Sequence, residues 1–273
     1  MFLQATDHIL EEINTTNNKL NIGWLSTGNG SGSLGLLKEG IKLHNNKTLN
    51  INFVFSNREY GEKEGSDKYL DLVKKNKIEA ITLSSRRFKT ERGLPWKDLR
   101  VDYDKKVLNS ISKFNVDILV AAGYMLFSPV ICNHFEILNL HPALPDGPNG
   151  TWKSVIKKLI ESKSRNSGIS IHLMTSDLDE GPNISFCKFN IDHNNNQNLI
   201  EIEETEIFSS IREKQIMYER VLLGKTLLKI SKGEINIKKD EDRDFWMDAE
   251  QAVDYGLVDQ VIYPEATKKS KKK

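Results

Sequence analysis

The chain has 273 residues, 39 Lys and Arg against 38 Asp and Glu, and 38% hydrophobic residues. That length buries a large core in one big α/β domain or two small ones. A net charge of +1 gives no global basic field for nucleic acid, and no apolar run reaches bilayer-spanning length. The two cysteines, Cys132 and Cys187, have neither metal-ligand spacing nor the density of a disulfide framework, so a reducing cytoplasm is the expected home and no metal is expected.

The first 20 residues are polar and acidic and read as an N-terminal extension rather than a signal peptide. "NIGWLS" (21–26) reads as a strand, "TGNGSGSLG" as a glycine loop and "LGLLKEGIKLH" (34–44) as a helix. "LNINFVFSN" (49–57) is a second strand. "SDKYLDLVKKNK" (66–77) has helical spacing at Leu70 and Val73, with Ser66 or Asp67 as its cap. "IEAITLSS" (78–85) is a third strand, and the basic stretch "SSRRFKTERG" (84–93) reads as a solvated loop whose Arg86, Arg87, Lys89 and Arg92 could otherwise meet an anion. A helix is expected over 100–115, with Tyr103, Val107, Ile111 and Phe114 on one face. "VDILVAAG" (116–123) is continuously apolar, as expected of a strand covered on both faces.

A fifth strand, "FEILNLH" (135–141), leads into a helix over 151–162, two more strands at 168–175 and 183–191, and a closing helix over 204–233. The closing helix offers Ile211, Tyr218, Val221, Leu222 and Leu228 to the sheet. Strands alternating with helices predict an α/β fold with a doubly wound, mostly parallel sheet. Ligands of such sheets sit beyond the carboxyl ends of the strands, so the polar residues there become candidates together.

Three such groups stand out. The glycine loop has Gly28, Gly30 and Gly32 ahead of a helix N-terminus, an arrangement that suits an anion or a purely steric turn. It lacks the Gly-Lys-Ser/Thr of a Walker loop, and Ser33 stands where a dinucleotide fingerprint has glycine. Asn139 and His141 close the fifth strand on one side, an amide that both donates and accepts beside an imidazole that trades protons near neutrality. "SDLDEGP" (176–182) supplies Asp177 and Asp179, and an aspartate beside an imidazole orients it and favours its protonated form. Such a set can hold a carbonyl, stabilise an oxyanion and move a proton, which suits acyl or formyl transfer to an amine. Each element taken alone is also an ordinary turn signal. His172, within "SIHLM", reads as a satisfied core histidine or a supporting partner.

"STGNGS", "FVFSN", "DILVAAGYM", "FSP", "LNLHPALP" and "LDEGP", in that order, resemble the phosphoribosylglycinamide formyltransferases of the folate-dependent formyltransferase family. The resemblance runs over about residues 21–235 and implies a Rossmann-like formyltransferase domain over 21–237, with a C-terminal appendage and basic tail over 238–273. It implies Asn139, His141 and Asp179 as the catalytic trio, and Gly30, Ser31 and Gly32 as the phosphate-binding loop. It also implies folate contacts from Arg100, from Met125, Leu126 and Phe127, and from Met174, Thr175, Ser176, Asp177 and Leu178. The implied substrates are 10-formyltetrahydrofolate and glycinamide ribonucleotide, in purine biosynthesis, handled by a monomer or homodimer. Hydrolysis of the formyl folate, formyl transfer to an amino sugar or methionyl-tRNA, and a non-catalytic folate- or nucleotide-binding module are the alternatives. "YMLFSP" lacks the family's usual arginine and "GPNGTWK" departs from its usual loop, which marks a divergent member; Trp152 is similar to a tryptophan of the methionyl-tRNA formyltransferases. Residues 240–262 resemble the C-terminal segment of Clp-type serine proteases, without that protease's serine and histidine elements earlier in the chain.

Overall fold

The computed structural model describes residues 19–175, 181–191 and 206–237. The N-terminal extension up to residue 18 and the appendage from 238 onward lie outside the described residues. Seven strands form one sheet in the order β3-β2-β1-β4-β5-β6-β7. β1 (Leu20–Ser26), β2 (Leu49–Ser56), β3 (Glu79–Thr82), β4 (Ile118–Ala121) and β5 (Ile137–His141) run parallel. β6 (Asn166–Leu173) and β7 (Asn183–Asn190) join antiparallel, so the sheet is mostly parallel as expected.

Alternation along the strands feeds two cores. Trp24, Val54 and Val120 face one cluster, shared with α1 (Ser31–Asn45), α2 (Glu64–Lys75), α5 (Trp152–Glu161) and α6 (Glu206–Ser231). Leu25, Phe55 and Leu119 face the other, shared with α3 (Ser85–Arg92) and α4 (Trp96–Ile111). Burial on both faces is why the central strands read as near-continuous apolar runs.

Several boundaries differ from the sequence reading. α1 starts at Ser31, inside the glycine loop, because Gly30 is the extended N-cap residue and Leu34 N–H donates to the Gly30 carbonyl. α2 starts at Glu64 with Lys63 as N-cap residue and no side-chain cap, so Ser66 and Asp67 lie inside the first turn. The stretch expected to be a solvated loop holds α3. Ser84 caps it by accepting from Arg87 N–H at 2.9 Å, and Gly93 ends it in the left-handed conformation. There Arg87 pairs with Glu59 at 2.6 Å and the Arg92 guanidinium lies over the Phe88 ring at 3.5 Å. α4 begins four residues earlier than expected, where Pro95 breaks away from α3. On α6, Leu223 and Leu227 are core residues while Leu228 is half-buried.

β6 depends on a close approach. A Cβ at Gly168 would fall on the Cys187 carbonyl oxygen of β7 and on the Leu144 side chain. Gly168→Ala is expected to cost about 2 kcal/mol, read as a lower urea midpoint with an unchanged slope.

Candidate active site

β1, β4 and β5 end side by side, and their loops are tied together. Ser26 Oγ donates to the Ala122 carbonyl at 2.8 Å, Thr27 N–H to the Gly123 carbonyl at 3.0 Å, and Met125 N–H to Thr27 Oγ1 at 3.1 Å. A cavity of about 260 Å³ opens over these strand ends. Asn139 and His141 form part of its wall, together with Ser33 from α1, Met125, Leu126 and Phe127 from the loop after β4, and Met174 from the end of β6. Trp152, Arg212 and Glu219 line it as well.

Asn139 lies directly across the ladder from His172. His172 Nδ1 lies 3.0 Å from the Leu173 carbonyl, which can only accept, so that nitrogen carries the proton. Its Nε2 is therefore an acceptor, and Asn139 meets it with Nδ2 at 3.0 Å. This chain fixes which way the Asn139 amide points. One amide N–H holds His172, and the second N–H and the carbonyl oxygen remain to serve the cavity. His172 is 4% exposed with both ring nitrogens engaged, a satisfied core histidine whose Nε2 also meets Asn139.

His141 is oriented by its own exit loop. After Pro142 the chain turns, with Gly147 N–H donating to the Leu144 carbonyl at 2.8 Å, and brings the Pro148 carbonyl to 3.2 Å from His141 Nε2. A carbonyl cannot donate, so Nε2 carries a proton, and Nδ1 is the nitrogen left to exchange one. The His141 and His172 rings meet edge to face, 6.3 Å apart. Strand β5 thus delivers an oriented amide and an oriented imidazole to one wall.

The remaining expected site residues divide. Gly30, Ser31 and Gly32 lie at the start of α1 beside the cavity, and Ser33 lines it. A Cβ on Gly30 would meet nothing within 4 Å, whereas one on Gly32 would stand 2.6 Å from Arg212 Nη2. Arg100 does not line the cavity; its guanidinium lies 5.3 Å from the ring of Phe127, which does. Met174 lines the cavity and Thr175 follows it. Ser176, Asp177, Leu178 and Asp179 lie outside the described residues.

α6 supplies polar residues that the sequence reading missed. Arg212 Nη1 donates to Glu219 Oε1 at 3.1 Å and to Gln215 Oε1 at 3.2 Å, and the guanidinium lies 4.4 Å from the Trp152 ring centre. Burial pushes the Glu219 carboxyl up, and Arg212 opposes that shift. The signal was present, since Arg212 and Glu219 stand two helical turns apart on one face.

A doubly wound sheet with oriented amide and imidazole groups at its carboxyl edge, under an apolar-walled cavity, defines an α/β enzyme acting on a small molecule. The chain belongs to the formyl transferase family, whose model matches residues 35–207. A Clp protease family model matches residues 196–265. The chain is 29% identical to the phosphoribosylglycinamide formyltransferase of Escherichia coli over 62% of its own length and 72% of that protein. It is 31% identical to the formyltetrahydrofolate deformylase of Bacillus subtilis over 38% of its length and 35% of that protein. The crystal structure of glycinamide ribonucleotide transformylase 1 from Symbiobacterium toebii superimposes with a TM-score of 0.63 at 19% identity, covering 84% of this chain and 94% of that one. Among the described residues no helix is long and apolar enough to cross a membrane.

Proposed function

We propose that the protein transfers the formyl group of 10-formyltetrahydrofolate to the amine of glycinamide ribonucleotide, a step of purine biosynthesis. The observation that carries this reading is the Asn139 amide, fixed by His172, beside a His141 ring fixed by the Pro148 carbonyl. As an amine adds to the formyl carbon, the second Asn139 N–H and a protonated His141 would hydrogen-bond the oxyanion. His141 Nδ1 can first take up a proton and later return one to the leaving nitrogen. Asp179 is the third member of this set and would favour the protonated imidazole.

The donor end fits a folate. Met125, Leu126, Phe127 and Met174 give a flat heteroaromatic ring an apolar slot, with Arg100 behind Phe127; Thr175, Ser176, Asp177 and Leu178 are the further folate contacts that the family resemblance implies. The acceptor end is the start of α1. Gly30, Ser31 and Gly32 would hold the substrate phosphate, because first-turn N–H groups have no intrahelical partners and nothing packs where a Gly30 side chain would stand.

A second reading is hydrolysis of the same donor, with water in place of the amine. The likeness to a formyltetrahydrofolate deformylase supports it. Turnover of 10-formyltetrahydrofolate with and without glycinamide ribonucleotide separates the two. Acceptor-dependent loss of the formyl group is expected; equal loss in both reactions selects hydrolysis, and no loss with folded protein rejects both.

A further inference from the structure

Gln215 has no exposed surface, although it sits on a helix face that otherwise packs Ile211, Leu222 and Leu223. A buried amide is costly unless both its ends are engaged. Both are: Nε2 donates to the Pro142 carbonyl at 2.9 Å, and Oε1 accepts from Arg212 Nη1 at 3.2 Å. Pro142 follows His141 directly and opens the turn that brings the Pro148 carbonyl back to the His141 ring. Arg212 lines the same cavity, held by Glu219 and stacked on Trp152. An apolar side chain of equal length would fill the same core space, so the amide has its use in the connection.

We propose that Gln215 is a positioning residue, which fixes the Pro142 carbonyl and thereby the aim and tautomer of His141, and links that aim to Arg212 at the acceptor end. The inference rests on the proposed formyl-transfer site. Because Arg212 holds one end of this link and Pro142 the other, a ligand group that moves Arg212 also bears on the aim of the imidazole.

The test is Gln215→Met in the full-length chain. Methionine conserves length and apolar packing and removes both hydrogen bonds. The readout is the imidazole nitrogen spectrum of His141 in isotope-labelled protein, assigned by its loss in His141→Gln. Wild-type protein is expected to show a single Nε2–H tautomer, and the variant a mixed population. An unchanged His141 spectrum in folded Gln215→Met overturns the inference. If Gln215→Met does not fold, Arg212→Lys, which keeps the charge and removes the fork that reaches Gln215, decides by the same spectrum. In turnover, Gln215→Met is expected to lower kcat about tenfold with the KM for 10-formyltetrahydrofolate within about twofold. Because the spectrum needs no substrate, a wild-type protein without transferase activity would reject the proposed reaction and leave the role of Gln215 to be decided by the imidazole.

Discussion

His141→Ala is expected to lower kcat for formyl transfer by about 10²–10⁴-fold, the usual contribution of a positioned acid–base group. The fold should survive. His141 ends β5 on a cavity wall, and its side-chain bond is to the Pro148 carbonyl of an exit loop rather than to the sheet. The loop is independently held by Gln215 at Pro142 and by Lys158, which donates to the Asn149 carbonyl at 3.0 Å. Thermal unfolding should move by only a few degrees, the shift of about 1 kcal/mol in a chain of this size. Near-normal turnover in a folded His141→Ala protein would remove the residue from the chemistry.

Asp104→Ala should give the largest loss of stability, about 3 kcal/mol. Asp104 is 1% exposed on α4, and its Oδ2 accepts from the backbone N–H of Val130 at 2.6 Å and Ile131 at 3.1 Å. It therefore anchors the far end of the loop carrying Met125, Leu126 and Phe127. Alanine leaves two backbone donors without their acceptor, and the loss should appear both as a lower denaturant midpoint and as weaker folate binding by calorimetry. Burial pushes the Asp104 carboxyl up, against the pull of Ile131 N–H, Val130 N–H and Arg100. Its folded-state pKa thus lies above the unfolded one, and its contribution is complete below the ordinary carboxylate range and declines as pH rises through the folded value. The stability of wild type relative to Asp104→Asn should accordingly be less favourable at neutral pH than at about pH 4.

What the sequence made legible follows from how each signal is carried. The parallel strands were readable because burial on both faces leaves runs such as "DILVAA" with no alternation. Asn139 and His141 were readable because period two is a local rule. α3 was hidden because Phe88 is its one buried residue, and its start and stop lie in Ser84 and Gly93 rather than in a hydrophobic stripe. His172 was ambiguous because its role depends on the residue across the ladder, and register is not local. Gln215 and Glu219 were lost within a helix read only for its apolar residues, where buried Gln215, Glu219 and Thr226 interrupt the pattern.

The formyl transferase family match ends at residue 207, and α6 runs from Glu206 to Ser231. Asn139 and His141 therefore lie inside the matched region, while Arg212 and Glu219, which also line the cavity, and Gln215 beside them lie beyond it. The cavity is in this sense a composite of two tracts of the chain. On the role proposed for Gln215, a change in this one helix that reshapes what is admitted also reaches the imidazole, through Pro142. Substrate range and chemistry are in that case yoked in this protein, with Gln215 at the joint between them.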